Sequence, residues 1–188
     1  MDYICGLDEV GRGPIAGPVT AAAVILPDDF PKDRLRDSKK LSPKKRAELN
    51  ILIKEEAISW GIGWASPRTI DSINILQASL LAMRRAYDEM VVRNGHIPPY
   101  IACVDGNQFP PLSIHMYAII KGDSALPEIM AASIIAKEAR DSWMIKISQR
   151  YDRWDFEKHK GYPTKRHKEL CTAHGISPIH RRSFRIFS

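Results

Sequence analysis

Four acidic residues, Asp8, Glu9, Asp105 and Asp123, each stand at or just past the end of an apolar stretch. Asp8 and Glu9 are adjacent, and Asp105 and Asp123 each sit beside a glycine. Carboxylates are costly to bury unpaired. Two of them at the mouth of a core strand need a cation to offset their repulsion. Oxygen donors with no nearby His or Cys ligand favour Mg²⁺ or Mn²⁺ over Zn²⁺. Two such ions can activate a water and stabilise the leaving oxygen of a phosphodiester. Gly11-Arg12-Gly13 follows the acidic pair directly, and glycines allow a ligand backbone to approach closely. The combination points to metal-dependent chemistry on a phosphate-bearing substrate.

The elements that would position these groups can be read from the apolar pattern. Residues 3–7 and 19–26 read as strands joined by a turn rich in Gly and Pro. The second is nearly continuous apolar, as an interior strand should be. Ser42-Pro43 opens a helix to about residue 58, and Ser66-Pro67 opens another to about 94. Residues 60–65, 100–104 and 114–120 supply three further strands. Residues 127–151 form a long helix whose Ala131, Ala132, Ser133 and Ala136 allow close packing on the sheet. A short helix at 165–174 follows. The expected fold class is α/β, a mixed five-stranded sheet flanked by helices. Asp105 and Asp123 then lie at strand ends, where open sheets gather their sites.

The structural alternatives weigh differently by residue. Taken alone, Asp105 or Asp123 before or after Gly reads as a turn former. Asp8-Glu9 inside an apolar run reads as functional by itself. In an ideal strand the two would point to opposite faces, so sharing a site requires the strand to end or twist at Glu9. Asp141 lies four residues after Lys137, the spacing of an ordinary helical ion pair. His115 reads as a core residue of a strand. His159, His167, His174 and His180 cluster in a basic region and read as local hydrogen-bonding or phosphate-touching groups rather than metal ligands.

Charge and cysteine usage narrow the class. The net charge of +6 is uneven: residues 137–188 carry thirteen Lys and Arg against six Asp and Glu, so the last quarter holds the whole excess. Such asymmetry fits a polyanion, most simply nucleic acid. Cys5, Cys103 and Cys171 are odd in number and widely spaced, which argues against a disulfide framework and for a reducing compartment. No apolar run approaches the roughly 20 residues needed to span a bilayer, and no signal peptide is expected. The expectation is a cytoplasmic protein of one domain without a membrane partner.

The run from Tyr3 through Asp8-Glu9-Val10-Gly11-Arg12-Gly13-Pro14 to Val19 resembles the opening motif of the ribonuclease HII family, the type 2 ribonucleases H. Asp37-Ser38-Lys39-Lys40-Leu41-Ser42 is similar to that family's next block. Val104-Asp105-Gly106-Asn107 resembles the third, and Lys121-Gly122-Asp123 with residues 131–137 the fourth. Gly161-Tyr162-Pro163-Thr164 with His167, and His180-Arg181-Arg182-Ser183-Phe184, resemble the closing blocks. The motifs follow family order over nearly the whole chain.

The resemblance implies a ribonuclease H-like sheet with a small C-terminal helical segment, all of residues 1–188 forming one catalytic domain. Residues from about 150 onward would be a basic extension lining the substrate groove. It implies cleavage of the RNA strand of RNA–DNA hybrids and nicking 5′ of single ribonucleotides in duplex DNA, with two Mg²⁺ or Mn²⁺ ions, by a monomer. Asp8, Glu9, Asp105 and Asp123 would be both catalytic and metal-binding. Gly11, Arg12 and Gly13 would hold the ribose 2′-OH, the one group that separates RNA from DNA at a given nucleotide. Tyr162 would pack on the following sugar. Lys39, Lys40, Lys121, Arg181 and Arg182 would contact phosphates, positioning the duplex without specifying it. Two rival readings are a metal-dependent DNA nuclease or integrase-like enzyme of the same fold, and a non-catalytic hybrid-binding protein.

Overall fold

The computed structural model describes residues 3–35 and 42–187; Lys39 and Lys40 lie outside them. Five strands form one sheet: β1 (Ile4–Val10), β2 (Val19–Ile25), β3 (Ser59–Ala65), β4 (Ile101–Asp105) and β5 (His115–Ile119), in the order β3-β2-β1-β4-β5. β1 pairs antiparallel with β2, and β2 with β3. β4 runs parallel to β1, and β5 to β4. The sheet is therefore mixed, as expected. β2 is buried along its whole length, matching its unbroken apolar sequence.

Helices cover both faces. α1 (Pro43–Glu56) and α2 (Pro67–Arg93) each begin with a serine cap, Ser42 accepting from Lys45 N–H and Ser66 from Thr69 N–H. A proline in the first turn of each fits a position whose N–H would go unused. α2 packs on one face with Ala78, Ala82, Met83, Ala86, Tyr87 and Met90, facing Leu7, Ala21 and Ala23. α3 (Pro127–Ser148) and α1 cover the other face over Ala22 and Val24. Fully burying each large side chain in these layers contributes about 1.5–3 kcal/mol.

Gly6 decides how close α3 comes. A Cβ there would lie 2.2 Å from the backbone carbon of Glu128. Only glycine lets the first turn of α3 press on β1, and that contact carries Ser133 toward Asp8.

Three expectations change. α2 is broken at Asn74, which sits at φ 66° and ψ 168°, and the Asn74 side chain caps the following segment through Gln77 N–H. His115 is exposed rather than core, because β5 is the sheet's edge and none of its residues is fully buried. α3 ends at Ser148, three residues early, and α4 (Phe156–His159) precedes α5 (Lys165–His174). No helix among the described residues is long and apolar enough to cross a membrane.

Candidate active site

β1 and β4 part company at their C-terminal ends. Their last paired residues are Leu7 and Val104, so Asp8 and Glu9 run on beyond the β1–β4 ladder while Asp105 closes β4; β1 does not end at Glu9, since both residues stay paired with β2. That geometry resolves the problem of alternating faces. Asp8 turns toward α3 and Glu9 toward α2, and Asp105 sits between them at the notch. Asp123 arrives in a short 3-10 turn, Gly122–Ser124, and its N–H donates to Asp105 Oδ1 at 3.4 Å. All four carboxylates line one cavity of about 340 Å³. Carboxylate oxygens of Asp8, Asp105 and Asp123 lie within 4.8 Å of one another, close enough to share a cation.

The local electrostatics suit a cation. Burial pushes the Asp8 carboxyl well above its usual pKa, and the charges of Glu9 and Asp105 push it further. Two hydrogen bonds oppose this, from Ser133 and from Glu9 N–H at 2.7 Å. Burial likewise raises Glu9, against the Arg12 guanidinium 3.3 Å away and with the charge of Asp105. Such a cluster is under repulsion that a divalent ion relieves, and its oxygen-only donors fit Mg²⁺ or Mn²⁺.

Arg46, Ser133 and Lys137 also line the cavity and escaped the sequence reading as site residues. Arg46 pairs with Glu138 at 2.5 Å and approaches Asp141 at 3.7 Å. Lys137 pairs with Asp141 at 3.0 Å, as its spacing suggested. Ser133 and Lys137 are one helical turn apart in a block that reads as packing; their shared face on α3 was the available signal.

The glycine turn begins one residue past β1. Gly11 has φ +97°, and a Cβ on it would lie 2.3 Å from Arg140 Nε. Arg12 and Gly13 are exposed, while residues 14–18 are buried. The C-terminal segment clamps this turn from behind. Ile15 N–H donates to Gly161 O at 2.9 Å, Gly17 N–H to Ile179 O at 2.9 Å, and Arg181 N–H to Ile15 O at 2.8 Å. The Tyr162 ring reaches within 3.8 Å of where a Gly13 Cβ would stand. Lys137 and Arg140 lie 5.9 Å from that ring's centre.

The basic candidates divide. Lys121 is exposed in a left-handed conformation next to Asp123. Arg182 is exposed, and its N–H is held by Asp71 at 3.0 Å. Arg181 does not fit the expected phosphate contact, because its side chain is fully buried. It donates instead to the carbonyls of Gly11 (2.6 Å), Arg12 (3.0 Å), Gly17 (2.9 Å) and Pro18 (3.1 Å).

Two of the histidines, His167 and His180, join a buried network with Cys171. His167 Nδ1 lies 2.8 Å from Tyr162 O and must donate to it, leaving Nε2 as an acceptor. His180 Nδ1 accepts from Ser177 N–H at 2.9 Å, so its proton is on Nε2. That proton points at His167 Nε2 (3.0 Å) and Cys171 Sγ (3.1 Å). The trio has metal-ligand types within 4.8 Å. Yet neutral His180 could bind metal through Nε2 only with a proton on Nδ1, where the Ser177 amide already sits. The network is therefore a hydrogen-bonded brace that ends on the Tyr162 backbone. His174 instead packs edge-on against Trp154.

A family profile for Ribonuclease HII matches residues 5–186. The ribonuclease HII of Janthinobacterium sp. (strain Marseille) is 52% identical over 183 residues, covering 97% of this chain and 85% of that one. The ribonuclease HII of Archaeoglobus fulgidus, solved in complex with PCNA, is 26% identical with a TM-score of 0.78, covering 99% of this chain and 96% of that one. Bst-RNase HIII, solved with Mn²⁺, shares the fold with a TM-score of 0.76 at 16% identity, over 98% of this chain and 67% of that one. The matched span holds the acidic notch, the glycine turn and the C-terminal clamp, and the chain belongs to the ribonuclease HII family of ribonuclease H hydrolases.

Proposed function

We propose that the protein cuts the RNA strand of RNA–DNA hybrids and nicks 5′ of single ribonucleotides in duplex DNA, using two Mg²⁺ or Mn²⁺ ions held by Asp8, Glu9, Asp105 and Asp123. The observation that carries this is the meeting of carboxylate oxygens within 4.8 Å beside an exposed glycine turn. Family membership supports the hybrid substrate, and the Mn²⁺ bound by the distant ribonuclease HIII supports a divalent ion. When bound, the ions would lower the pKa of a water and stabilise the departing 3′ oxygen.

The chain's own groups supply the rest. Asp8, oriented by Ser133 and the Glu9 amide, and Asp105, bridging the two faces, supply oxygens for the ions. The backbone of Gly11, Arg12 and Gly13 reads the 2′-OH. Tyr162 packs on the next sugar and rejects a second hydroxyl there. Lys121, Arg182, Lys39 and Lys40 hold phosphates, and Arg46 and Lys137 join them at the cavity rim. The whole chain acts as one catalytic domain, with the basic C-terminal segment along the groove, as a cytoplasmic monomer.

The deciding experiment compares three labelled substrates: a DNA duplex with one ribonucleotide, the all-DNA duplex and an RNA–DNA hybrid. Cutting of the first and third with Mg²⁺ or Mn²⁺, and of none in excess EDTA, is expected. Cutting of the all-DNA duplex would favour a DNA nuclease. Binding without cutting under every metal condition would favour a silent binding protein.

A further inference from the structure

Two arginines are fully buried under the glycine turn. Arg140 donates from Nε to Pro18 O at 2.9 Å and from Nη2 to Ala16 O at 3.1 Å. Arg181 serves the four carbonyls already named. Among the described residues neither forms an ion pair with a carboxylate. Isolated charges buried this way are costly, and here peptide oxygens and the faces of Phe184 and Tyr162 are what compensate them. Burial and the charge of Arg140 lower the Arg181 pKa to about 9. Arg140 Nη1 is buried with no hydrogen-bond partner among the described residues, a further cost to folding. Stability alone would favour an apolar filling.

The arrangement has a directional consequence. In a trans peptide the C=O and the following N–H point opposite ways. Arg181 draws the Gly11 and Arg12 carbonyls inward, so the N–H groups of Arg12 and Gly13 face outward. Those are the two exposed residues of the turn. Both N–H groups are left without a partner among the described residues.

We propose that Arg140 and Arg181 are positioning residues for ribose recognition: they lock the carbonyls of Gly11, Arg12, Ala16, Gly17 and Pro18 inward, presenting the Arg12 and Gly13 amides to the substrate. Arg140 also ties the turn to Tyr162, whose ring centre is 5.9 Å from its guanidinium carbon. The proposal rests on the reading of the turn as a ribose sensor.

The test uses Arg181→Lys, which keeps a cation but has one nitrogen where three now reach four carbonyls. Binding is measured in an Asp123→Asn background, to prevent cutting, on a duplex with one ribonucleotide and on its all-DNA counterpart. With native arginines the ribonucleotide duplex should bind at least tenfold tighter. Arg181→Lys should bring that ratio close to one by weakening only the ribonucleotide arm. In the otherwise native protein it should lower kcat/KM at least tenfold. Leu49→Ala, a destabilising change in the α1 core, should leave both readouts near native when assayed below its melting transition.

An unchanged ratio in folded Arg181→Lys overturns the proposal. If that variant does not fold, Arg140→Lys takes its place with the same expectation. Failure of both to fold assigns the pair to stability alone and also overturns it. If the protein with native arginines neither cuts nor prefers the ribonucleotide duplex, the ribose-sensing reading itself has failed.

Discussion

Replacing Asp8 with Asn should stabilise the metal-free protein while abolishing its metal response and its activity. Oxygens of Asp8, Asp105 and Asp123 lie within 4.8 Å of one another. Two unit charges at that spacing repel by about 3.5 kcal/mol at an effective dielectric constant near 20. Asp8 takes part in two of the three pairs, and Glu9 adds to them. Proton uptake limits the damage: protonating a carboxyl of ordinary pKa at pH 7.5 costs about 5 kcal/mol, and one group cannot lose more. The Asp8 pKa is raised on folding, so its contribution to stability is full below the unfolded value and is lost as pH rises through the folded one. At pH 7.5 the Asn variant should therefore gain about 2–4 kcal/mol. For a domain of this size that is a rise in Tm of roughly 5–12 °C. Asn keeps an acceptor for the Glu9 N–H, now 2.7 Å from Oδ1, and nearly the same volume.

Thermal melts in EDTA and in Mn²⁺ test this. At a hundredfold excess over Kd the ion should stabilise the native protein by about 2.7 kcal/mol, and Asp8→Asn should lose most of that shift. A variant that melts lower than native in EDTA yet keeps the full Mn²⁺ shift would refute a shared ion at these oxygens.

Three further outcomes follow from the geometry. Burial lowers His167 and His180 to about 4, so unfolded chains take up protons there first and stability falls between pH 6.5 and about 4, by about 3 kcal/mol per proton. Urea midpoints across that range, in Asp8→Asn so that the carboxylate does not offset the effect, should fall as pH falls; a flat profile would contradict the neutral network. Gly11→Ala should cost at least about 3 kcal/mol, combining a positive φ with a clash against Arg140, and cleavage should fall with it; native melting and turnover would refute the tight packing. Tyr162→Ala should lower kcat/KM at a single ribonucleotide about tenfold, the scale of one lost aromatic contact, and do less on a continuous hybrid; equal losses on both would remove Tyr162 from junction sensing.

The strands, the capped helices and the acidic quartet were legible because each has a local signature. Ser42-Pro43 and Ser66-Pro67 announce helix starts, and Asp8-Glu9 is conspicuous inside an apolar run. What could not be read depends on distant partners. Arg181 and Arg182 look alike in sequence, but one enters the core and the other stays outside. The carbonyls that receive Arg181 lie 163 to 170 positions away. His115 was misread because an edge strand and an interior strand share the same short pattern, and only the sheet order separates them. The break at Asn74 lies within a stretch whose periodicity continues on both sides.

The fold leaves two electrostatic deficits of opposite sign at the two ends of a few residues of backbone. The β1–β4 notch crowds the buried carboxyls of Asp8 and Glu9 against Asp105, and among the described residues Arg12, half exposed, pairs with Glu9. The glycine turn covers two guanidinium groups with no carboxylate partner among the described residues. The deficits do not cancel each other, because β1 ends between them and directs Asp8 toward α3 while the turn folds back over Arg140 and Arg181. On the proposed function, a phosphodiester strand carrying divalent ions would meet both needs at once: cations in the notch, and phosphate and ribose oxygens against the outward amides of the turn. Each deficit lowers the stability of the free protein and raises its affinity for that one kind of ligand. The proposed substrate would therefore complete the electrostatics of the core as well as occupy the groove.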